Sequence, residues 1–232
     1  MGTIAVRDII RKARIILQDE DAVRWPDTEM LGWVNDGQRE VVLLKPNAHS
    51  KTVTIALSPG TRQTLPDECI LLLDVVRNMG TDGKTPSRAI RIVMREMLDA
   101  QVPDWHSSQP DREARVKHYL YSPEMDAKTF FVWPPQPDPP EQTMQVEVMY
   151  SASPPDVQID GAIAISDPYS GLLLDYVLYR ANAKDAEHSP VAQLAVAWRE
   201  AFLSSLGGKS HAETAANPNL AAPAAPYMRS SP

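Results

Sequence analysis

Trp25-Pro26-Asp27-Thr28-Glu29-Met30-Leu31-Gly32-Trp33-Val34-Asn35-Asp36-Gly37-Gln38-Arg39-Glu40-Val41-Val42 reads as an amphipathic helix entered through a fixed turn. Asp27 or Thr28 can accept a hydrogen bond from the first free N–H groups, and Pro26 stiffens the approach. Glu29 puts negative charge where the helix dipole is positive. Met30, Val34, Val41 and Leu44 fall on one face at helical spacing. Gly37 shares that face, where a missing side chain lets another helix come close. Trp25 beside Pro26 can pin the start of the helix as a hydrophobic staple. The stretch is built for packing and holds no arrangement of catalytic groups.

Upstream, Ile4 to Gln18 forms a second helical pattern, with Thr3 as its cap and Val6, Ile9, Ile10, Ala13, Ile16 and Leu17 as its apolar face. Arg7, Arg11 and Arg14 lie on the other side. A solvated face is the ordinary meaning of such a row, and a contact surface for an acidic partner or neighbouring subunit is the sharper one. The two helices make an antiparallel pair.

Downstream the period changes to two. Val53, Ile55 and Leu57 alternate with Thr52, Thr54 and Ala56, and Ser58-Pro59-Gly60-Thr61 turns the chain toward a hairpin partner at Arg62 to Leu65. Glu68 to Asn78 is strongly apolar and ambiguous, with Ile70-Leu71-Leu72-Leu73 a candidate short helix leading into a strand at Val75 to Asn78. Ala89 to Val93 reads as a strand, and Arg95 to Gln101 as a helix stopped by Pro103. Lys117 to Tyr121, Thr129 to Trp133 and Met144 to Tyr150 are strands, the first two joined by a hairpin-length turn. Pro134-Pro135-Gln136-Pro137-Asp138-Pro139-Pro140 is a stiff connection, with a polyproline ligand as its alternative.

After residue 160 helices return. Asp167-Pro168 is a start signal, with Asp167 as cap, followed by the stripe Leu172, Tyr176, Tyr179 and Ala183. Ser189-Pro190 repeats the signal, followed by Val191, Leu194, Ala195, Trp198 and Phe202, with Trp198 as a core residue. Gly207-Gly208 closes that helix. The expectation is an α+β chain: a helical pair over 1–50, a β-rich centre over 51–160 made of antiparallel strands, helices over 161–208 that form a bundle with the first pair, and an extended tail over 209–232. Tyr227-Met228-Arg229 is the one cluster in that tail able to anchor it to a partner.

Composition narrows the function. The 232 residues carry 23 basic and 30 acidic side chains, a net charge of -7, which argues against nucleic-acid binding through a general basic surface. The single cysteine, Cys69, excludes a disulfide scaffold within the chain and reads as a small buried apolar residue. No run is apolar enough to span a membrane, and the first residues do not look like a signal peptide. The product is expected to be made in the cytoplasm. His49, His106, His118, His188 and His211 are scattered without zinc-site spacing. Glycines are too dispersed for a phosphate loop, and no nucleophile elbow is present. Pairs such as Asp19/Asp21 and Asp99/Asp104 do not match acid–base geometry. The expectation is no enzyme, no metal and no cofactor.

The Trp25-to-Leu44 run with Asn35-Asp36-Gly37-Gln38-Arg39-Glu40 resembles the N-terminal helix of head-to-tail adaptor (connector, head-completion) proteins of tailed bacteriophages. Tyr119-Leu120-Tyr121, Phe130-Phe131-Val132-Trp133-Pro134-Pro135, Val146-Glu147-Val148-Met149-Tyr150 and the Asp167-Pro168-Tyr169 helix extend the likeness over most of residues 4 to 206. In kind it is similar to podovirus tail accessory factors. The resemblance implies a homo-oligomeric ring, usually of twelve copies, in the virion neck. One side would bind the portal protein and the other the tail tube or nozzle, while genomic DNA passes through without sequence-specific contact. Arg7, Arg11, Arg14, Tyr227, Met228 and Arg229 are the candidate partner-binding residues. Two other classes stay open: a hydrolase acting on cell-wall sugars during entry, and a binding module using the proline-rich linker.

Overall fold

The computed structural model describes residues 2–107, 115–137, 144–185 and 189–217. It is α+β, as the sequence predicts. The chain divides into two compact units, Met1–Val41 with Pro155–Pro232, and Val42–Pro154.

In the first unit, α1 covers Val6–Leu17 and α2 Asp27–Leu44, the latter running on past the unit boundary; α4 covers Ser170–Lys184 and α5 Ser189–Ala215. Gly37 of α2 meets α4 as expected. A Cβ there would lie 3.0 Å from the Tyr176 ring and 3.2 Å from Leu173. Tyr176 in turn meets Phe202 of α5 edge-on at 5.4 Å between ring centres. Met30, Val34, Ile9, Ala13, Leu173, Val177 and Phe202 are buried.

Three helix boundaries differ from expectation. Thr3 does not cap α1; Ala5 precedes that helix with no side-chain cap. Thr3–Ala5 instead runs along the stretch before α4, with Val6 N–H donating to Gly161 and Ile163 N–H to Ile4. That path brings the N–H groups of Thr3 and Ile4 and the Thr3 hydroxyl onto the Asp167 carboxylate. Asp167 therefore serves the N-terminal segment and not its own helix, and these bonds hold its pKa below the ordinary carboxylate value, the Thr3 hydroxyl foremost.

The third difference is at Gly207-Gly208, which does not end α5. Neither glycine has positive φ and neither has a neighbour within 4 Å of a built Cβ, so nothing bends the chain out of the helix. Lys209 beyond them lies 4.4 Å from the Tyr169 ring centre. The tail expected to be extended from residue 209 thus begins as helix. Gly207→Ala and Gly208→Ala should each stabilise the chain by about 0.5–1 kcal/mol, because the helix gains propensity and the added methyl meets open space. Far-UV circular dichroism and a thermal melt check this. Trp198, expected in the core, is only half-buried; Ala195, Phe202 and Leu206 carry the buried stripe.

The second unit holds β1 (Ser50–Ala56), β2 (Gly60–Thr64), β3 (Cys69–Met79), β4 (Pro86–Ala89), β5 (Arg91–Ile92), the short helix α3 (Arg95–Gln101), β6 (His118–Leu120), β7 (Thr129–Gln136) and β8 (Gln145–Ala152). One sheet has the order β1-β8-β3-β4 and the other β2-β7-β6-β5. Both are antiparallel except for the β5–β6 pair. A shared core draws Leu72, Val75, Val146, Val148 and Tyr150 from the first sheet and Tyr119, Phe130 and Val132 from the second.

The expected β1–β2 hairpin does not form. β1 pairs with β8 and β2 with β7, so the turn between them carries the chain from one sheet to the other. The buried Gln63 side chain holds that corner by binding both Ser58 N–H and Ser58 and Gly60 carbonyls, and Gly60 supplies the positive φ of 86°. Residues 70–73 are strand, not helix. Three register shifts along β3 each insert a residue, so Cys69, Leu72, Val75 and Asn78 face inward every third position and imitate helical spacing. The predicted β6–β7 pairing and α3 stand. Pro134-Pro135-Gln136, expected in a linker, belongs to β7, where Gln136 pairs with Gly60; residues 138–140 lie outside the described ones.

The β3–β4 turn is locked by Asp82. Its carboxylate accepts from the Thr85 hydroxyl and from the Thr85 and Lys84 N–H groups, which hold its pKa at about 2. A carboxyl with a depressed folded pKa stabilises above its unfolded value of 3.8 and stops doing so as pH falls through the folded value. Urea midpoints of the native chain and Asp82→Ala should differ at neutral pH and converge between about pH 4 and 2.

Candidate interaction surface

Among the described residues, no three His, Cys, Asp or Glu side chains stand ready to hold a metal ion. No described helix is long and apolar enough to cross a membrane. Shifted titrations gather where Glu68, Cys69, Tyr121 and Tyr150 act on one another, and others lie at turns and on α4. Asp126 is held low by the Thr129 hydroxyl and the Lys128 N–H. Burial pushes the Cys69 thiol up, as expected of a packed cysteine. Tyr150 is raised to about 12 by burial and by its bond to Glu68. In the Asp104-Trp105-His106 trio, Trp105 donates to Asp99 and His106 pairs with the Thr61 hydroxyl.

The Asn35-to-Glu40 motif is a clasp within the helical unit. Asn35 binds both the N–H and the carbonyl of Val157. Gln38, fully buried, accepts from Ala164 and Ile165 N–H groups and donates to Asn35. Asp36 pairs with Arg39 and Arg180, Arg39 also with Asp156, and Glu40 with Arg199. Gly37 leaves room for Tyr176. Six consecutive residues thus fasten α2 to α4, α5 and the segment before α4.

The arginine row of α1 is split. Arg7 is exposed and pairs with Asp160; Arg11 is exposed and pairs with Asp8 at 3.0 Å. Arg14 is buried, a correction to its expected place on the outer face. Its guanidinium donates to the Asp19 carboxylate and carbonyl, the Trp25 carbonyl and Asp27. Buried Asp19 also accepts from Val23, Arg24 and Trp25 N–H groups, which, the Arg24 one foremost, lower its pKa. The α1–α2 connection is a polar knot, and Arg14 is turned into it. Ile16, placed on the buried face by periodicity, is exposed instead, beside Ile15. The outer face of α1 therefore carries Arg7, Arg11, Lys12, Ile15 and Ile16, followed by Val23 at 84% exposure.

On α5, Val196 and Leu203, seven residues apart and so on one flank of the buried stripe, are 58% and 41% exposed, while Leu194, 52% exposed, lies on the other flank. Sequence reasoning missed Lys12, Ile15 and Ile16 because it fitted a helical stripe without allowing for a buried guanidinium. The doublet Ile15-Ile16 beside basic residues was the available signal. Tyr227, Met228 and Arg229 lie outside the described residues.

No curated protein matches the chain. The family model described as SU10 adaptor protein matches residues 4–225, nearly the whole length. The chain therefore belongs to the SU10 adaptor protein family, a phage structural adaptor and virion component.

Proposed function

We propose that the chain is one subunit of a ring, of twelve copies, that joins the portal protein to the tail tube or nozzle in the phage neck and lets genomic DNA pass. The likeness to podovirus tail accessory factors is part of the same proposal. The observation that carries it is the pair of uncovered apolar strips in the helical unit, Ile15 and Ile16 on α1 and Val196 and Leu203 on α5. Two unlike strips on one subunit suit a heterologous contact, in which each copy offers one patch to a neighbour's other patch and the chain of contacts closes into a ring. Arg7 and Arg11, whose acidic partners are themselves exposed, supply charge at the rim of the α1 strip. Arg14 is assigned to the fold. Tyr227, Met228 and Arg229 are proposed as the anchor of the C-terminal segment on a partner. A net charge of -7 per copy suits a passage through which phosphate slides without sticking.

Negative-stain images of purified portal mixed with this chain should show a ring added to one face of the portal. Portal and chain staying separate at every salt concentration would overturn the reading. Ile15→Asp with Ile16→Asp should leave the circular dichroism spectrum unchanged, since both side chains face solvent, and should abolish ring growth on the portal. An unchanged ring in that variant would remove α1 from the contact.

A further inference from the structure

The β-rich unit has a basic, apolar and open edge that the adaptor reading does not use. β4 is the last strand of one sheet and β5 the last of the other, and they are consecutive in the chain. From Gly83 to Arg95 the sequence holds Lys84, Arg88, Arg91 and Arg95 and no acid, in a chain that is acidic overall. All four basic residues are exposed. Arg95 pairs with Asp99 at 3.4 Å, whereas Arg88 and Arg91 have no acidic partner among the described residues. Between and beyond them Ile92, Met94 and Met97 stand 64%, 74% and 54% exposed.

On the side away from β6, Ile90 N–H is already bound to the Val76 carbonyl of β3 at 3.2 Å, and the free groups begin at Ile92. Arg91 and Val93 N–H groups donate to Lys117 and Tyr119 of the β6 segment. Backbone groups alternate in direction along a strand, so the N–H and carbonyl of Ile92 point away from the sheet. Charge on an edge strand is a common guard against stray pairing. A guard does not account for three large apolar side chains left in water beside it. A nucleic acid would match the arginines and leave those same side chains without a partner.

We propose that this edge takes an extended peptide segment of another protein in which acidic and apolar residues alternate, adding it as a strand against Ile92. Its main chain pairs with the spare backbone groups of β5, its acidic side chains meet Arg88 and Arg91, and its apolar side chains cover Ile92, Met94 and Met97.

The test uses the full chain and a fluorescently labelled short peptide alternating glutamate and valine, followed by polarisation at low salt. Comparison probes are the same peptide with lysine for glutamate, the glutamate peptide N-methylated on alternate backbone nitrogens, and a short DNA duplex. The glutamate peptide should bind. Binding should fall at least about tenfold for Arg88→Glu with Arg91→Glu, for the N-methylated peptide and for the lysine peptide. The milder Arg88→Gln with Arg91→Gln should fall between, which guards against a fold defect in the charge-reversed variant. Equal binding by both charge versions, indifference to N-methylation, no binding of the glutamate peptide, or tighter binding of the duplex through the same arginines would each overturn the proposal. None of these outcomes bears on ring growth on the portal.

Discussion

Gln38→Leu is expected to cost about 3 kcal/mol, roughly 6–12 °C in melting temperature for a chain of this size. Leucine fills a similar volume, so packing changes little. The loss is polar. Ala164 and Ile165 N–H groups, now 2.6 and 3.4 Å from the Gln38 carbonyl oxygen, would be left buried with no acceptor. Asn35 would lose the donor at 3.3 Å that steadies its own oxygen toward Val157. A buried N–H without a partner forfeits its hydration and receives nothing in exchange. Gln38→Glu separates this cause from mere substitution: at acid pH its neutral carboxyl keeps an oxygen that accepts from Ala164 and an O–H that can donate to Asn35, and it should recover a large part of the loss there, whereas at neutral pH a buried carboxylate should not. A thermal melt followed by circular dichroism decides between them. Equal melting of Gln38→Leu and the native chain would show that the clasp is not what holds this unit.

Arg14→Met should be destabilising on a similar scale. The methylene stem is replaced closely, but two carbonyls and the carboxylates of Asp19 and Asp27 lose their donors. Removing one member of a buried pair leaves the other charge in a poor solvent. The pH dependence distinguishes the two members. The folded pKa of Asp19 lies below its unfolded value of 3.8, so its contribution is present above that value and disappears as pH falls through the folded one. The main cause of that shift is the Arg24 N–H, with smaller parts from Trp25 and Val23 and the least from Arg14. Arg14→Met should therefore keep the acid-side fall in stability, displaced downward as a whole. Asp19→Asn should make it shallower, the remainder coming from Asp82, Asp126 and Asp167. Urea midpoints measured from about pH 2 to 7 test both.

How far the sequence could be read follows from which forces act locally. α2 was legible because the spacing of Met30, Val34 and Val41 and the place of Gly37 agree over adjacent residues; its expected cap was not, since Asp27 takes Arg14 and the Pro26 carbonyl accepts from Glu29 and Met30, and Leu44, expected on the packed face, is exposed. Also legible were α3 and the β6–β7 hairpin, whose partners are near in sequence. β3 was not: its register shifts turn a two-residue period into a three-residue one. Nor was the separation of β1 from β2, since a tight turn looks alike whether it folds a hairpin or changes sheets. Arg14 was misplaced because its partners Asp19, Trp25 and Asp27 come from a connection whose path periodicity does not describe. The Asn35-to-Glu40 motif was noticed as a family likeness, while its bonds to Val157, Ala164 and Ile165 lie more than a hundred residues away and carry no signal in the run itself. The uncovered strips were half visible, Arg7 and Arg11 by their row and Ile15 and Ile16 only once the helix was rotated by structure.

The division of the chain also sets a timetable for synthesis. The β-rich unit, Val42–Pro154, interrupts the helical unit, whose second half starts at Pro155. At about 5–20 residues per second, a ribosome delivers every strand of the sheets before it makes α4 and α5. Until then α1 and α2 have emerged without the surfaces that bury Ile9, Ala13 and Gln38; α1, of 12 residues, is too short to be secure in water unaided, and most of the stability of α2 comes from the packing it still lacks. Nascent chains stalled with residue 160 just outside the ribosome should already protect the strands from protease while α1 and α2 are still cut. The oldest helices of the molecule would then be among the last parts to become native.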